Sequence, residues 1–213
     1  MQKYKLTDKT IEVYGRTLHQ IVCVTTFAGI AAGEVGGYIE QEANLSQDEN
    51  AWVSGNAWVF EDAEVSGNAW VSGNAEVSGN AKVSGNAEVS GNAKVSGNAW
   101  VFEDAKVSGN AKVSGNAKVS GNAILCRGDT VSFTDYVVIG PQGTRYSFAT
   151  FQLPSNTVCT GCFVGTLDDF KAKVALVYNP DCCDSCKIYN EQYQRVIQVF
   201  EFYAKDRQDK EAQ

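Results

Sequence analysis

The residues best suited to contact a partner lie in two copies of one heptapeptide. Ala-Trp-Val-Phe-Glu-Asp-Ala occupies positions 57–63 and recurs unchanged at positions 99–105. An exposed Trp and Phe beside carboxylates can stack on a nucleobase or anchor a protein partner. The alternative is that these aromatic residues are buried under the ends of the protein or in a seam between subunits. The candidate binding residues are Trp58, Phe60, Glu61, Asp62, Trp100, Phe102, Glu103 and Asp104.

Two Cys-x-x-Cys pairs form a second candidate site, for zinc. Their separation of twenty residues is close to the spacing of a four-thiolate zinc site. A helix predicted between them would be roughly 18 Å long at 1.5 Å per residue, and it would hold the pairs apart. Zinc therefore stays open beside the alternative of reduced cysteines without a cofactor, and Cys182 next to Cys183 adds a thiol switch as a third interpretation. The pairs are Cys159 with Cys162, and Cys183 with Cys186.

Catalysis by a general base near neutral pH favours histidine, and the chain contains one histidine, His19. It precedes the repeats described next, and no long loop interrupts those repeats to shape a pocket for an acceptor. We therefore predict no catalytic residue, and we interpret His19 as a residue of the surface or of a cap.

A strict six-residue period organises the middle of the chain. Twelve hexapeptides, most of them Ala-x-Val-Ser-Gly-Asn, run without a break from Ala51 to Asn122, and Leu125 continues the phase of the valines. Val favours a pleated, half-buried surface, whereas Gly and Asn tolerate the positive φ of a tight corner. Ala and Val lie two positions apart and point to the same side of a strand. The period therefore predicts a solenoid with Ala and Val inside.

The variable position before each Val indicates how many strands make one turn. Every Glu at this position has a Lys eighteen residues later, so stacked strands ~4.8 Å apart would place opposite charges side by side. Each pair would contribute ~0.2–1 kcal/mol. Three strands per turn give four full coils, which rise roughly 19 Å. The pairs are Glu64/Lys82, Glu76/Lys94 and Glu88/Lys106, and one corner would stack Asn56, Asn74, Asn92 and Asn110 in a ladder.

This repeat resembles the hexapeptide-repeat family, over about a third of the chain. The resemblance implies a mainly β fold, a single-stranded left-handed parallel β-helix with triangular coils of three hexapeptides, and assembly as a homotrimer. Many members are trimeric acyltransferases that use CoA thioesters and a histidine base at a subunit interface.

The flanking segments are predicted to be caps. Residues 1–50 form an N-terminal β-hairpin (11–13 with 18–24) and an irregular first coil, and residues 51–126 form the β-helix. Residues 127–213 form a small α+β cap or oligomerisation region. It comprises a β-hairpin (131–139 with 146–153) and two helices, one with Thr166 as N-cap and one from about Ile188 to Ala204.

Motifs in these flanks resemble hexapeptide-repeat proteins encoded by phages and prophages, to which no activity is assigned. The motifs include Lys5-Leu-Thr-Asp, Gly36-Gly-Tyr-Ile-Glu, Asn44-Leu-Ser, Gly140-Pro-Gln-Gly and the segment from Gly161 to Phe170. The resemblance implies a viral or prophage origin and carries no reaction with it.

Charge and hydropathy narrow the classes of function. The net charge is −7, from 18 basic and 25 acidic residues, and it is spread evenly along the chain. A nucleic-acid partner is not expected without a basic patch. The chain has no apolar run typical of a signal peptide or a membrane span, so we expect a soluble cytoplasmic protein, in the host cytoplasm if phage-encoded.

These observations lead to a hypothesis of a non-catalytic, phage-type accessory protein that binds stoichiometrically. It would inhibit a host immune protein or sequester a nucleotide-like ligand in counter-defence. One alternative is a trimeric hexapeptide acyltransferase that acts on a small amine or hydroxyl. Another is a self-assembling solenoid of the bactofilin kind, which polar caps would oppose.

Overall fold

Short parallel strands wound into a solenoid make up the centre of the molecule. The computed structural model describes residues 2–130, 135–142 and 147–211. Two-residue strands follow one another at the period of the hexapeptides, and each consists of the variable residue and the Val of one hexapeptide. They are Trp52–Val53 (β4), Trp58–Val59 (β5), Glu64–Val65 (β6), Trp70–Val71 (β7), Glu76–Val77 (β8), Lys82–Val83 (β9), Glu88–Val89 (β10), Lys94–Val95 (β11), Trp100–Val101 (β12), Lys106–Val107 (β13), Lys112–Val113 (β14) and Lys118–Val119 (β15).

Strands that are three hexapeptides apart along the chain pair with each other. Val53 lies opposite Val71, Val59 opposite Val77, and Val65 opposite Val83, all in parallel register. Three sheets result, and they form the three faces of the solenoid. Two further strands, Ile124–Leu125 (β16) and Asp129–Thr130 (β17), extend two of these sheets. The predicted parallel β-helix with 18-residue coils is confirmed, with about five turns.

The interior of the solenoid is lined by the Ala and Val of each hexapeptide. The valines at positions 53 to 119 are fully buried, the alanines at positions 51 to 123 are at most 1% exposed, and Leu125 continues the column. Burying a Val side chain stabilises the fold by about 1.5–3 kcal/mol. The repeat of one small and one branched apolar residue thus forms a continuous core along the axis of the coil.

The outer faces carry the charge pairs that the sequence period predicts. Nζ–carboxylate distances are 3.1 Å for Lys82–Glu64, 2.7 Å for Lys94–Glu76 and 2.9 Å for Lys106–Glu88. The predicted Asn ladder is confirmed as well, because each Nδ2 donates to the Oδ1 of the next Asn. The donor–acceptor distances are 3.3, 3.2 and 3.2 Å for Asn56–Asn74, Asn74–Asn92 and Asn92–Asn110.

An antiparallel hairpin closes the N-terminal end. Its strands are Tyr4–Val13 (β1) and Arg16–Cys23 (β2), longer than predicted, and Val35–Ile39 (β3) follows. β3 runs antiparallel to β2 and parallel to β5, so the hairpin continues one face of the solenoid. Inside this end, Trp52 is fully buried and contacts the ring of Phe27 edge-on, with the centroids 5.6 Å apart.

The first coil is irregular, as predicted. Ile39 pairs with Val59 and Leu45 pairs with Val65, whereas the first regular pair joins Val53 to Val71. In each of the two irregular pairs, the paired residues are two positions further apart in sequence than those of the regular pair. The two extra residues lie between Leu45 and Val53. A 3₁₀ helix, Glu42–Asn44, occupies the preceding corner of the same coil.

A four-stranded antiparallel sheet follows the last coil. Its strands are Tyr136–Gln142 (β18), Ser147–Gln152 (β19), Thr157–Thr160 (β20) and Phe163–Thr166 (β21). The predicted hairpin is confirmed by the pairing of β18 with β19; its predicted strand positions 131–134 and 146 lie outside the described residues. The sequence did not predict β20 and β21, which are only four residues long each.

Two helices, Leu167–Val177 (α1) and Asp184–Glu211 (α2), cover one side of this sheet. Thr166 caps α1 as predicted, and α2 extends beyond the predicted bounds at both ends. Phe200 packs on Phe151 of β19, with ring centroids 5.1 Å apart. The sheet therefore provides the surface that the apolar faces of the helices require. Neither helix in the described part of the chain has the length and hydrophobicity of a membrane span.

Candidate functional site

The two Phe-Glu-Asp corners use their glutamates to stabilise the backbone of the next coil. Glu61 and Glu103 both have φ near +60°, at a corner where most repeats have Gly. The Oε2 of Glu61 accepts a hydrogen bond from the N–H of Gly79 at 2.6 Å, and that of Glu103 accepts one from Gly121 at the same distance. These charge-assisted bonds offset the cost of the left-handed conformation, about 1–2 kcal/mol. Both carboxylates thus have a structural role.

The aspartates of the two copies occupy the Asn position of the repeat. Asp104 continues an Asn ladder, because its Oδ1 accepts a hydrogen bond from the Nδ2 of Asn86 at 3.0 Å.

Asp62 is exposed beside Arg16. The hydrogen bond to Glu40 raises the pKa of Arg16, and the charge of Asp62 adds a smaller effect in the same direction. Arg16 lies 2.8 Å from Glu40 and 3.4 Å from Glu61, so a small ionic cluster surrounds the first corner.

The aromatic residues of the first copy are covered by the N-terminal hairpin. Phe60 is 3% exposed and packs with Val13 and Leu18 of the hairpin, and Trp58 is half-buried at the edge of this cluster. The ring of Tyr14 at the hairpin tip lies 6.0 Å from that of Phe60. Burial under an end of the protein was one of the two alternatives for these residues, and Phe60 fits it.

The aromatic residues of the second copy form an open surface. Trp100 is 40% exposed, and its ring contacts that of Phe102 with centroids 4.8 Å apart and planes tilted by 38°. The indole Nε1 donates to the Oγ of Ser84 at 3.1 Å, and the Nζ of Lys118 lies 5.8 Å from the Trp100 ring. We call Trp100, Phe102 and Lys118 the Trp100 surface. Its indole ring is held in place by contacts on two sides.

Lysines lie on both sides of this indole in the sheet formed by β6, β9, β12 and β15. Trp100 pairs with Lys82 in one direction and with Lys118 in the other. Lys82 is paired with Glu64, whereas Lys118 contacts the aromatic face. A cation over an indole contributes about 0.5–1 kcal/mol at an exposed site. The surface thus combines a flat aromatic ring with adjacent positive charge.

The structure does not bring the two copies together within one chain. Trp58 belongs to β5 in the eight-stranded sheet, whereas Trp100 belongs to β12 in a four-stranded sheet on another face. The copies are separated along the chain by two coils and one third of a coil, and the remaining third places them on different faces. Any cleft that contains both copies would need a second subunit.

The cysteines of the zinc hypothesis lie in two different settings. Cys159 on β20 is joined to Cys126 by a disulfide, so this sulfur is already bonded in the structure. Cys162 is exposed at the turn between β20 and β21, and Cys183 and Cys186 lie at the start of α2. The described residues contain no group of three or more His, Cys, Asp or Glu side chains placed to hold a metal ion. The four-thiolate zinc site stays an untested prediction, and it would need reduced Cys159.

His19 lies on β2 in the N-terminal cap, as the sequence predicts. Its Nδ1 is 3.2 Å from the carbonyl oxygen of Thr7 on β1. The imidazole is thus engaged within the hairpin and lies outside the repeated coils.

A cavity of about 470 Å³ beside α1 was not predicted from the sequence. It lies between α1, α2 and the turn that joins β20 to β21. The helical spacing of the aromatic residues predicted that they would be buried, but it contained no signal that they would leave a space between them. The residues that line it include Cys162, Phe163, Phe170, Lys173, Tyr178 and Tyr193.

The fold places this chain in the class of parallel β-solenoids, and its repeats are consistent with a hexapeptide-repeat β-helix. A scan against models of protein families found no match, and a search of curated proteins also found none. The function of the chain is therefore inferred from the geometry of the surfaces described above.

Proposed function

We propose that this protein is a non-catalytic accessory protein that binds a partner stoichiometrically through the Trp100 surface. The observation that supports this proposal is an exposed Trp100 packed on a half-buried Phe102. Most repeats have Lys or Glu at the position of this Trp and Ser at the position of this Phe. Trp is enriched among the residues that contribute most to protein interfaces. The hydrogen bond to Ser84 and the contact with Lys118 already hold the indole, so binding would immobilise few additional rotamers.

The shape of this surface favours a protein as the partner. Trp100 lies on an outer face of the solenoid with 40% of its surface exposed, whereas small-molecule sites are concave and enclose most of their ligand. A nucleotide-like ligand would stack on Trp100 and place its phosphate near Lys118, but it would need a second wall. A neighbouring subunit of the homotrimer implied by the family resemblance would supply that wall. In the phage-type setting that the flanking motifs suggest, this partner is a host immune protein in the host cytoplasm, which the protein inhibits.

The test replaces the unusual copy with the common repeat. Trp100→Lys with Phe102→Ser changes this hexapeptide toward Ala-Lys-Val-Ser, which five other repeats already contain. The fold should therefore persist while the Trp100 surface is removed. Lys112→Ala, on another face, is the matched control. We expect the double variant to lose partner affinity by at least about 30-fold, since a hot spot contributes about 2 kcal/mol or more, and the control to bind normally.

Native mass spectrometry of the protein purified from cells identifies the kind of partner. A trimer with an extra mass of a few hundred daltons, absent from the double variant, would support sequestration of a ligand. A trimer without added mass would point to a protein partner. Inhibition of that protein would be supported if the wild type and the control capture it and the double variant does not. Equal binding by all three forms would overturn the proposal. Turnover of acetyl-CoA that disappears in His19→Ala, or filaments of purified protein, would favour an acyltransferase or a self-assembling solenoid instead.

A further inference from the structure

Helix α2 begins at a Cys-x-x-Cys sequence whose two sulfur atoms are in contact. Cys183 immediately precedes the first helical residue, Asp184, and Cys186 lies in the first turn. The two Sγ atoms are 2.7 Å apart, and the backbone N–H of Cys186 donates to the Sγ of Cys183 at 3.1 Å. The Cys183 sulfur thus takes the place that a capping oxygen has at other helix N-termini.

We propose that Cys183 and Cys186 form a redox-active dithiol that exchanges with low-molecular-weight disulfides. This site is separate from the Cys126–Cys159 disulfide and from the Trp100 surface. A disulfide bond measures about 2.05 Å between its sulfur atoms, so oxidation of the pair requires only a small closing movement in one helical turn.

The surroundings of the two thiols indicate which one is the nucleophile and which one resolves the mixed disulfide. Cys183 is exposed beside the first residue of α2, and its Sγ accepts the backbone N–H of Cys186 at 3.1 Å, whereas Cys186 is half-buried. Cys183 is therefore the nucleophile, because access and a position at a helix N-terminus favour attack by a cysteine sulfur.

The exchange proceeds in two balanced steps. The Cys183 thiolate attacks one sulfur of the small disulfide RSSR, forms a mixed disulfide with it and expels RS⁻. Cys186, whose Sγ lies next to the Cys183 sulfur, then loses its proton to solvent. The Cys186 thiolate attacks the Cys183 sulfur and expels the second RS⁻. Two protein thiols and RSSR thus become one protein disulfide and two RSH molecules.

Oxidised glutathione serves as the probe for a test on the full chain. After incubation and acid quenching, peptide mapping by mass spectrometry should show a Cys183–Cys186 disulfide in the wild type. Cys186→Ser should trap one glutathione on Cys183, because the resolving thiol is absent. Cys183→Ser should form neither product at these positions. The matched control is Cys182→Ser, which removes the adjacent thiol and should behave like the wild type.

Two results would overturn the proposal. One is a mixed disulfide that persists on Cys183 in the wild type at the level seen in Cys186→Ser, because Cys186 would then not resolve it. The other is a disulfide that joins Cys182 to Cys186 in the wild type and is lost in Cys182→Ser. Both results are independent of partner binding, so this proposal can fail while the proposed function stands.

Discussion

At the residue scale, the corners of the solenoid depend on glycines that let backbones of successive coils touch. Gly91 has a φ of +69°, and a Cβ placed on it would lie 2.9 Å from the backbone N of Gly109. Gly121 has a similar φ of +64°, but its Cβ would meet only the Oε2 of Glu103, at 3.8 Å. The two positions share the same conformation and differ in the space around them.

This difference makes Gly91→Ala and Gly121→Ala a matched pair. Gly121→Ala should lower the free energy of unfolding by about 1–2 kcal/mol, the cost of a left-handed Ala. Gly91→Ala should cost at least about 1 kcal/mol more, because its methyl group meets immobile backbone as well. Urea unfolding followed by circular dichroism measures both. Equal losses would show that the backbone contact between coils does not constrain the corner.

A second prediction at this scale concerns the buried Lys3. Its side chain donates to the carbonyl oxygens of Ala51 at 2.9 Å and Asp48 at 3.1 Å, and desolvation lowers its pKa to about 8. Lysine in the unfolded chain titrates near 10.4. At a pH between these two pKa values, the unfolded state binds more protons than the folded state. The contribution of Lys3 to stability therefore rises with pH. The unfolding free energy of the wild type relative to Lys3→Met should therefore rise from about pH 8 to pH 10. A difference that stays constant or falls would contradict the prediction.

The sequence predicted most corners because Gly-Asn recurs at each of them. It did not predict that Glu61 and Glu103 would replace Gly at positive φ. The carboxylate of each binds a backbone N–H of the following coil, and this partner is known only once the coils are stacked. Burial of Phe60 was one of two alternatives, and the sequence could not decide between them because the outcome depends on where the N-terminal hairpin lies.

At the element scale, side chains of β19 satisfy the exposed edge of the last coil. The N–H of Ile124 donates to the Oγ1 of Thr150 at 2.9 Å, and the N–H of Cys126 donates to the Oε1 of Gln152 at 3.3 Å. An unpaired strand edge is a template for association with another chain. The C-terminal sheet thus ends the β-helix by replacing the next strand with side-chain acceptors.

Thr150→Val tests this role with little change of shape. The isosteric Val removes the acceptor for the Ile124 N–H, so the free energy of unfolding should fall by about 1–3 kcal/mol, the cost of an unsatisfied buried donor. Thr150→Ser retains the hydroxyl and is the control, with a smaller loss expected. Thermal and urea unfolding measure the difference. If Val were tolerated as well as Ser, the hydroxyl would not be needed to close this edge.

Sequence patterns predicted the helices of the C-terminal region better than its strands. Thr166, two following acidic residues and the spacing of Phe170 and Val174 indicated α1 because capping and periodicity are local signals. The strands β20 and β21 are short, and their pairing depends on neighbours in the sheet. The pairing of Cys126 with Cys159 joins residues 33 positions apart on different elements, which no local pattern indicates.

At the scale of the whole molecule, the same period determines the positions of the core residues, the corners and the outer charges. The sequence predicted this period because Glu and Lys recur at matched positions. The pairs are largely exposed, except that the side chain of Glu76 is only 13% accessible. Each pair should therefore contribute modestly, and their sum should depend on salt.

Charge reversal over the whole solenoid tests this sum. Replacing Glu64, Glu76 and Glu88 with Lys would place like charges on adjacent strands, and it should lower the unfolding free energy by roughly 1–3 kcal/mol in total. Reversing their three partners to Glu in the same chain should restore most of the loss. Urea unfolding at low salt and at about 1 M NaCl provides the measurement, with a smaller loss expected at high salt. A loss that is insensitive to both the partner reversal and salt would mean that the pairs do not act electrostatically.

The Glu–Lys pairs also have a consequence for how nearly identical strands find their correct neighbours. The hexapeptides could in principle stack with two or four strands per turn, since Ala, Val, Gly and Asn would match equally well. A coil of two hexapeptides would place Glu64 beside Glu76 and Lys82 beside Lys94, and a coil of four hexapeptides would place Glu64 beside Glu88. Like charges directly opposite each other are destabilising. The core residues would match equally well in each of these coil sizes, whereas the exposed charges favour three strands per turn. The charges therefore disfavour misfolded solenoids built from the same strands.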